Sequence, residues 1–320
     1  MQRALQSGAK VDWLTVTFKP EDPSIHVGWT ILEWLRGLLM DRTGKRVGVV
    51  AESCSGMRGY EYAVRIYAFV ALNDGMSRIN IGRVDWGGAF HGGRARFDLS
   101  GSGCALICNW HALQSEISNW DEYKLTRVDL AVDCLNGEFT LDHAVDWYRS
   151  GSFNAGGRMP RHSTIGDWLT DTPQYGRTLQ IGQRGNGKMC RVYEKGRQLG
   201  DPSSDWVRFE VEIRNKDRDI PLEILTDCDT YFTGAYNCLF QVLQVAGTRI
   251  ATHQKEGLIS LARLVSFAKT AYGGTVHVMR GCLTADEIID HLARPVLPAR
   301  LDKASIAGFS NLASVLPKLE

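Results

Sequence analysis

The segment Val207–Arg214 (VRFEVEIR) indicates most directly how this chain folds. Its apolar residues occupy alternate positions, and its charged residues occupy the positions between them. Because successive side chains of a β-strand point to opposite faces of a sheet, this alternation predicts a strand with one packed face and one charged face. Thr126–Asp133 (TRVDLAVD) and Cys190–Lys195 (CRVYEK) alternate in the same way. The three segments therefore predict a sheet whose second face presents arginines, carboxylates and a tyrosine.

The rest of the chain predicts further strands and helices without a regular alternation between them. Strands are predicted at 11–18, 61–72, 78–82 and 94–99, with a hairpin at 178–195. Helices are predicted at 31–39, 104–117, 141–148, 236–245, 258–271 and 284–292. Since turns join most of the strands, we expect an α+β fold in which an antiparallel sheet with flanking helices holds the reactive residues. We divide the chain into a domain at 1–235 and a helical carboxy-terminal region at 236–320, and we find no internal sequence repeat.

The composition is that of a globular protein without a strong overall charge. Of the 320 residues, 44% are hydrophobic and 23% are charged, and the formal net charge is +1. The molecule as a whole therefore has no strong field for nucleic acid, and any DNA contact must come from local patches. Arg and Lys outnumber Asp and Glu between residues 177 and 218, although an ordinary solvated surface explains such a stretch as well. In this stretch we predict six DNA-binding residues: Arg184, Lys188, Arg197, Arg208, Arg214 and Lys216.

The sequence predicts a cytoplasmic protein. It contains no apolar run of roughly eighteen residues, so no membrane contact is expected. Met1–Lys10 lacks the apolar core of a signal peptide. The eight cysteines form no CxxC pair, and most lie within apolar runs, as is typical of buried thiols in a reducing compartment.

Carboxylates on the predicted charged face indicate a site for a hard metal ion. Glu210 and Glu212 share one face of a strand about 6.6 Å apart, so both could approach one cation. Asp129 and Asp133 are about 13 Å apart by the same rise, and we favour Asp129 as the third ligand because Asp133 lies at the strand end. An all-oxygen site suits Mg²⁺ or Mn²⁺.

Tyr193 shares its predicted face with Arg191 and Lys195. With a carboxylate-bound metal, these side chains could supply the nucleophile and the positive charge that phosphodiester transfer needs. We expect the neighbouring cations to favour the phenolate form, since a free tyrosine has a pKa of about 10. A strand tyrosine is also commonly a packing residue, and charges on a sheet face commonly form cross-strand ion pairs. Both interpretations stay open on the pattern alone.

The sequence offers no complete phosphate-binding loop and no histidine pair for a metal ion. Gly182–Lys188 (GQRGNGK) matches part of a phosphate-binding loop, but Met189 replaces the metal-ligating hydroxyl, and a strand follows where a helix is required. Its Gly-Asn-Gly core predicts a hairpin turn instead. No two histidines are separated by a single residue, so a His-x-His metal pair is absent from the sequence.

Several segments together resemble the replication initiation factor family. They are LSGSG (99–103), TRVDLAVD (126–133), GRMP (157–160), NGKMCRVYEKGRQLG (186–200) and WVRFEVEIRNKDRDIP (206–221). The family includes initiators of filamentous phages and of rolling-circle plasmids that act through a tyrosine without a His-x-His motif. The most specific likeness is the spacing from RVYEKGRQLG to RFEVEIRNK.

The resemblance implies a phage-type or plasmid-type rolling-circle initiator, a site- and strand-specific DNA-nicking and joining enzyme. Such an enzyme cleaves the origin, stays linked to the 5′ phosphate through tyrosine, leaves a 3′ hydroxyl for synthesis and later joins the displaced strand. Tyr193 matches the nucleophile position, and Asp129, Glu210 and Glu212 match the acidic positions. The implied partners are double-stranded origin DNA, single-stranded DNA and the host helicase and polymerase. A homodimer is a hypothesis from the resemblance alone.

Two further functions stay open at this level. The chain could be a non-catalytic DNA-binding repressor or structural module of the same fold, or a metal nuclease that activates water with the same carboxylates. The segment 151–176 is either a passive connection or a place where Trp168 or Tyr175 stacks on bases.

Overall fold

The computed structural model describes residues 8–243, except 23–25, 41–43, 73–74, 136, 155 and 171–175, together with residues 268–269 and 271–293. The chain divides into two compact units, residues 1–252 and 253–320. The predicted boundary after residue 235 stays a prediction. Among the residues just given, there is no helix with the length and apolar character needed to cross a membrane.

The described part of the first unit forms one antiparallel sheet of ten strands. Their bounds are β1 Lys10–Lys19, β2 Gly48–Ser55, β3 Tyr62–Leu72, β4 Gly75–Trp86, β5 Ala95–Leu99, β6 Asp121–Cys134, β7 His162–Ile165, β8 Thr178–Gln183, β9 Lys188–Glu194 and β10 Val207–Arg214. Their order across the sheet is β2-β3-β4-β5-β1-β6-β10-β9-β8-β7, and every neighbouring pair is antiparallel. The predicted α+β fold with an antiparallel sheet is therefore confirmed.

Helices flank this sheet, and the longer ones pack on its apolar face. Their bounds are α1 Val27–Arg36, α2 Gly101–Cys104, α3 Trp110–Ser118, α4 Leu141–Arg149, α5 Lys195–Gln198, α6 Cys228–Ala235 and α7 Leu239–Leu243. Leu35 of α1, Leu113 of α3 and Phe232 of α6 are fully buried in one core together with Phe97 and Phe209 of the strands. Because the apolar rows of the strands face this core, the charged rows lie on the opposite face.

The two halves of the sheet repeat one topology. Strand β1 is followed by α1 and by β2 to β5, and β5 returns to pair with β1. Strand β6 is likewise followed by α4 and by β7 to β10, and β10 returns to pair with β6. Since β1 and β6 pair with each other, the halves meet at the centre of the sheet. The two halves therefore share a topology although the sequence contains no repeat. This is possible because strand pairing depends on the alternation of apolar and polar residues and not on residue identity.

Local differences from the predicted elements have simple causes. The helix predicted at 104–117 begins only at Trp110, because the chain turns after Cys104, the last residue of α2. The Asn109 side chain caps α3 by accepting a hydrogen bond from the Ala112 amide over 3.0 Å. Strands β2 and β7 are not predicted by the sequence. Both are edge strands, and the four residues of β7 are all exposed, so they lack the buried alternation that marks an inner strand.

The second unit is helical where it is described. Residues 271–279 are helical, and a further helix spans Ala285–Leu292. Thr284 and Glu287 begin that helix as a capping box, in which each side chain accepts a hydrogen bond from the other's backbone amide. The predicted helix at 284–292 is thus confirmed, whereas most of the one at 258–271 lies outside the described residues.

Candidate active site

Tyr193 and Glu210 are in direct contact on the charged face of the sheet. The tyrosine hydroxyl donates a hydrogen bond to Oε2 of Glu210 over 2.9 Å. The register between β9 and β10 places Arg191 opposite Glu210 and Tyr193 opposite Arg208, so the tyrosine and the glutamate are diagonal neighbours. Both side chains are buried, with 9% of Tyr193 and 5% of Glu210 exposed. The tyrosine hydroxyl therefore has a carboxylate partner, and little of either residue is exposed to solvent.

Arg191 joins the three carboxylates that the sequence singles out. Its Nη2 atom lies 3.1 Å from Oδ2 of Asp129 and is hydrogen-bonded to Oε1 of Glu210, and its Nη1 atom lies 3.5 Å from Oε2 of Glu212. One guanidinium reaches all three because Asp129 and Glu212 are direct cross-strand neighbours and Glu210 follows on the same face of β10. Lys195, the first residue of α5, places its Nζ atom 5.6 Å from the centre of the Tyr193 ring. The structure thus brings together all six residues predicted as catalytic or metal-binding.

Further arginines cover the two carboxylates farthest from the tyrosine. Arg127 binds Asp129 through two hydrogen bonds of 2.8 and 2.5 Å. Arg184 and Arg214 bind Glu212 through their Nε atoms over 3.2 and 2.5 Å. Burial raises the pKa of Asp129 to about 7 against the opposing effect of Arg127, and the charges of Glu210 and Glu212 add to the rise.

The pKa of Tyr193 moves in the direction opposite to the one predicted. Burial raises the pKa above its ordinary value of 10.0, and the negative charge of Glu210 and the hydrogen bond to it raise it further, against the opposing charge of Arg208. The expectation that cations favour the phenolate is therefore wrong for the protein without DNA. The phenol keeps its proton, and Glu210 is the group positioned to accept that proton.

Asp133 belongs to a separate ion-pair cluster at the other end of β6. Its carboxylate accepts hydrogen bonds from Arg208 over 2.6 and 3.0 Å, from Lys10 over 2.6 Å and from the indole of Trp206 over 2.8 Å. Although burial raises the pKa of Asp133, the hydrogen bonds and charges of Arg208 and Lys10 outweigh that effect and lower it to about 2. Asp133 is therefore an ionised anchor for Arg208 and not a partner of Tyr193.

A second anchor of Arg208, Asp12, gives no clear sequence signal. Its Oδ1 atom lies 2.9 Å from Nη1 of Arg208. Strict alternation through β1 would place Asp12 on the apolar face with Leu14 and Val16. A register shift between Val11 and Trp13 reverses the alternation there. Irregularities of this kind are not visible in the residue pattern.

The six predicted DNA-binding residues lie in different environments. Arg184, Arg214 and Lys216 lie together along one groove, as described below. Arg208 is buried between Asp133 and Asp12, and Arg197 is half-buried on α5. Lys188 points to the apolar face, where its ammonium donates a hydrogen bond to the carbonyl of Ala235 and lies 4.2 Å from the ring centre of Tyr236. Strand alternation explains this position, because Lys188 falls on the same face of β9 as the core residues Cys190 and Val192.

The carboxylates do not form a metal site as they are arranged here. Within the described ranges, no group of three His, Cys, Asp or Glu side chains has the geometry to hold an ion. Three carboxylates are the right donor type for Mg²⁺ or Mn²⁺, but their shared space contains the Arg191 guanidinium, and Arg127, Arg184 and Arg214 bind their remaining oxygens. The residues therefore fit these ions in type but not in arrangement.

Other candidate residues are less suited to the chemistry. Tyr236 is 3% exposed, packs edge-on against Phe153 in the core, and donates a hydrogen bond to the carbonyl of Ile181 over 3.5 Å. The glycine-rich segment between β8 and β9 is a hairpin turn in which Gly187 has a φ of 75°, as its composition predicts. Trp168 donates a hydrogen bond to the carbonyl of Ile165, whereas Tyr175 lies outside the described residues.

A comparison with protein-family models agrees with the resemblance seen in the sequence. A family model described as "Replication initiation factor" matches residues 123–291, which is more than half of the chain. No curated protein matches at a significant level. Among solved structures, the chain is similar to a rolling circle replication initiator protein from Geobacillus stearothermophilus, with 24% identity and a TM-score of 0.49 over 78% of this chain and 90% of that one.

Proposed function

Because the chain belongs to the replication initiation factor family, we propose that it is a rolling-circle replication initiator that nicks and rejoins one DNA strand through Tyr193. The observation that supports this proposal is the contact between the Tyr193 hydroxyl and Glu210 on an arginine-rich sheet face. A phenol, an adjacent base and fixed positive charge are the groups that phosphodiester transfer to tyrosine requires.

The first step is a proton transfer within the contact already described. As the phenolic oxygen attacks the scissile phosphorus, its proton moves to Oε2 of Glu210. The new bond joins the tyrosine oxygen to phosphorus, and the bond from phosphorus to the 3′ oxygen breaks. The departing 3′ oxygen takes up a proton from water and leaves as a hydroxyl. The raised pKa of Tyr193 makes such a base necessary, since the phenolate is scarce at neutral pH.

Cations around the tyrosine stabilise the charge that develops on the phosphate. Arg191 already binds Glu210, so the proton gained by Glu210 weakens that ion pair and frees guanidinium donors for the phosphoryl oxygens. The ammonium of Lys195 lies over the tyrosine ring and is close enough to contribute a second positive charge. Arg208 is held by the carboxylates of Asp12 and Asp133 and lies directly opposite Tyr193 on the neighbouring strand, so it is a positioning residue.

Joining is the same chemistry in reverse. A 3′ hydroxyl attacks the phosphotyrosine and loses its proton to water, the bond from tyrosine to phosphorus breaks, and the protonated Glu210 returns its proton to the phenolate. A single carboxylate can serve both directions because it is a base in the first reaction and an acid in the second.

The wider setting is part of the proposal. The substrate is double-stranded DNA at a phage or plasmid origin, the product is single-stranded DNA, and a host helicase and polymerase extend the 3′ end in the bacterial cytoplasm. A homodimer stays a hypothesis. A requirement for Mg²⁺ or Mn²⁺ stays a prediction, which nicking assays with each ion and with a chelator would test.

The test is a nicking assay on a supercoiled plasmid that bears the origin of the replicon encoding the chain. We expect the wild type to convert it to the open circle and to become covalently linked to DNA, and we expect Tyr193→Phe to do neither. A repressor of the same fold would bind and leave the plasmid closed. A water-activating nuclease would cleave without a covalent adduct, and its activity would survive Tyr193→Phe. Either result would refute the proposal.

A further inference from the structure

A basic groove of about 360 Å³ lies on the charged face where the two halves of the sheet meet. Of the residues that the structure describes, those that line it include no Asp or Glu. The first half contributes two arginines to it, and the second half contributes three arginines and a lysine. These six residues are Arg58, Arg96, Arg127, Arg184, Arg214 and Lys216.

We propose that this groove binds the phosphodiester backbone of single-stranded DNA next to the tyrosine site. This inference rests on the proposed function, because nicking by Tyr193 is the reaction that releases such a strand. It also goes beyond that function, because it assigns a binding role to the first half of the sheet, which lacks the reactive tyrosine.

Buried carboxylates hold four of the arginines in place. Arg96 binds Asp85 over 3.1 Å, Arg127 binds Asp129, and Arg184 and Arg214 share Glu212. Asp85, Asp129 and Glu212 are at most 1% exposed, so the acids lie beneath the groove and the arginines lie between them and solvent. A guanidinium has five N–H donors, and Arg184 and Arg214 each use only Nε in these bonds. The remaining donors are therefore fixed in position for an anionic ligand.

Arg58 and Lys216 have a different role in the groove. Both side chains are exposed, and neither has an acidic partner within the part of the chain that the structure describes. Their charge is therefore not neutralised, and they are the groups most able to attract phosphate.

The backbone at Arg58 is held in a conformation that L residues rarely adopt. Its φ is 59°, in the left-handed region, which is uncommon for a residue other than glycine. A ring nitrogen of His91 lies 2.7 Å from the Arg58 carbonyl oxygen, and the His91 ring stacks on Tyr60 at 3.9 Å between ring centres. Such a conformation persists only where its surroundings impose it, and conformations of this kind cluster at active sites and ligand clamps. Here it places an arginine at the wall of the groove.

The groove and the tyrosine lie on one continuous face of β10. Arg214 is in the groove, and Arg208 is directly opposite Tyr193, so about 20 Å of strand separates the two levels. Glu212 contacts Arg184 and Arg214 on one side and Arg191 on the other. A strand attached at Tyr193 would reach the groove within about six stacked nucleotides at 3.4 Å each.

The experiment measures binding of a fluorescent single-stranded oligonucleotide of mixed sequence, about twenty nucleotides long. All the full-length variants compared contain Tyr193→Phe, so that cleavage cannot interfere. The test variant adds Arg58→Gln and Lys216→Gln, which leaves every buried acid paired. The control adds Arg36→Gln and Arg149→Gln, the same charge change on exposed residues of α1 and α4 on the other face. We expect the test variant to bind about tenfold more weakly and to lower the slope of log affinity against log salt by about 1.4. The control should match its parent.

Two outcomes would overturn the inference. The first is equal binding and equal salt slopes in the test variant and the control, and the second is binding of duplex but not of single-stranded DNA by their parent. In each case the proposed function stands or falls separately, because covalent linkage of the wild type at Tyr193 is measured in an assay of its own.

Discussion

The Tyr193 hydroxyl and the Glu210 carboxylate form a hydrogen bond of 2.9 Å between neighbouring strands, and both groups are nearly removed from solvent. Burial and the charge of Glu210 raise the pKa of the phenol, so the same residue that keeps Tyr193 protonated at rest is the one placed to remove its proton. In the proposed mechanism, this arrangement keeps the tyrosine inert until a phosphate with its own charge-stabilising contacts is bound.

Replacing Glu210 with Gln should separate binding from chemistry. Gln has nearly the same shape but cannot accept a proton, so we expect single-turnover nicking to fall by about 10² to 10⁴ while DNA affinity changes little. The control is Glu194→Gln, which alters a buried carboxylate of β9 that binds Arg177 and not Tyr193. Nicking by Glu210→Gln within twofold of the wild type would show that the base lies elsewhere.

Tyr236→Phe should leave nicking intact. Within the described part of the chain, the Tyr236 hydroxyl makes one hydrogen bond, which is a long one of 3.5 Å to the Ile181 carbonyl in the core. Its loss should therefore lower the free energy of unfolding by no more than about 1 kcal/mol. Nicking and chemical denaturation of this variant would be measured beside Tyr193→Phe. If Tyr236→Phe were folded but unable to cleave DNA, Tyr236 would be required for nicking, and our assignment of Tyr193 as the nucleophile would be wrong.

The ion pair of Asp133 predicts a defined dependence of stability on pH. The pKa of Asp133 is lowered from 3.8 to about 2, so its contribution is fully present above pH 3.8 and disappears as the pH falls through 2. We expect Asp133→Asn to lower the free energy of unfolding by about 2 kcal/mol at pH 7, with the difference vanishing near pH 2. Urea unfolding of both proteins across this range provides the measurement. A difference that stays constant with pH would indicate a packing effect.

Gly103 in the LSGSG segment has a packing role that a stability measurement can test. A Cβ atom at this position would collide with the carbonyl oxygen of Ile81 and with the Leu99 side chain, because α2 lies tightly against β4 and β5. We expect Gly103→Ala to destabilise the fold by about 1 to 3 kcal/mol. Gly185→Ala is the control, since no atom lies within 4 Å of its added Cβ. Equal melting temperatures for the two variants would contradict this explanation.

Residue alternation predicts the sheet and the composition of its charged face. The alternation in β6, β9 and β10 places Asp129, Arg191, Tyr193, Glu210 and Glu212 on one face, and the structure has them there. Alternation cannot give the register between strands. Only the pairing of Asp129 with Glu212, and of Arg191 with Glu210, makes one guanidinium the centre of three carboxylates, where the sequence suggests a metal ion instead.

The charge state of the tyrosine also depends on information beyond the sequence. Arg191 and Lys195 flank Tyr193 in the chain, which favours a prediction of lowered pKa. In the fold, burial and the diagonal neighbour Glu210 outweigh the cations. The groove could not be predicted from the sequence either. Arg58 and Lys216 are far apart along the chain and line the same groove only because the two topological halves join there.

The most direct test of the account is to identify the residue that becomes linked to DNA. Wild-type protein would react with origin DNA, be digested with trypsin and nuclease, and be analysed by mass spectrometry for peptides with a residual nucleotide. The account predicts the modification on Tyr193, within the tryptic peptide Val192–Lys195. A modification on Tyr231 or Tyr236, or cleavage with no modified peptide, would contradict it.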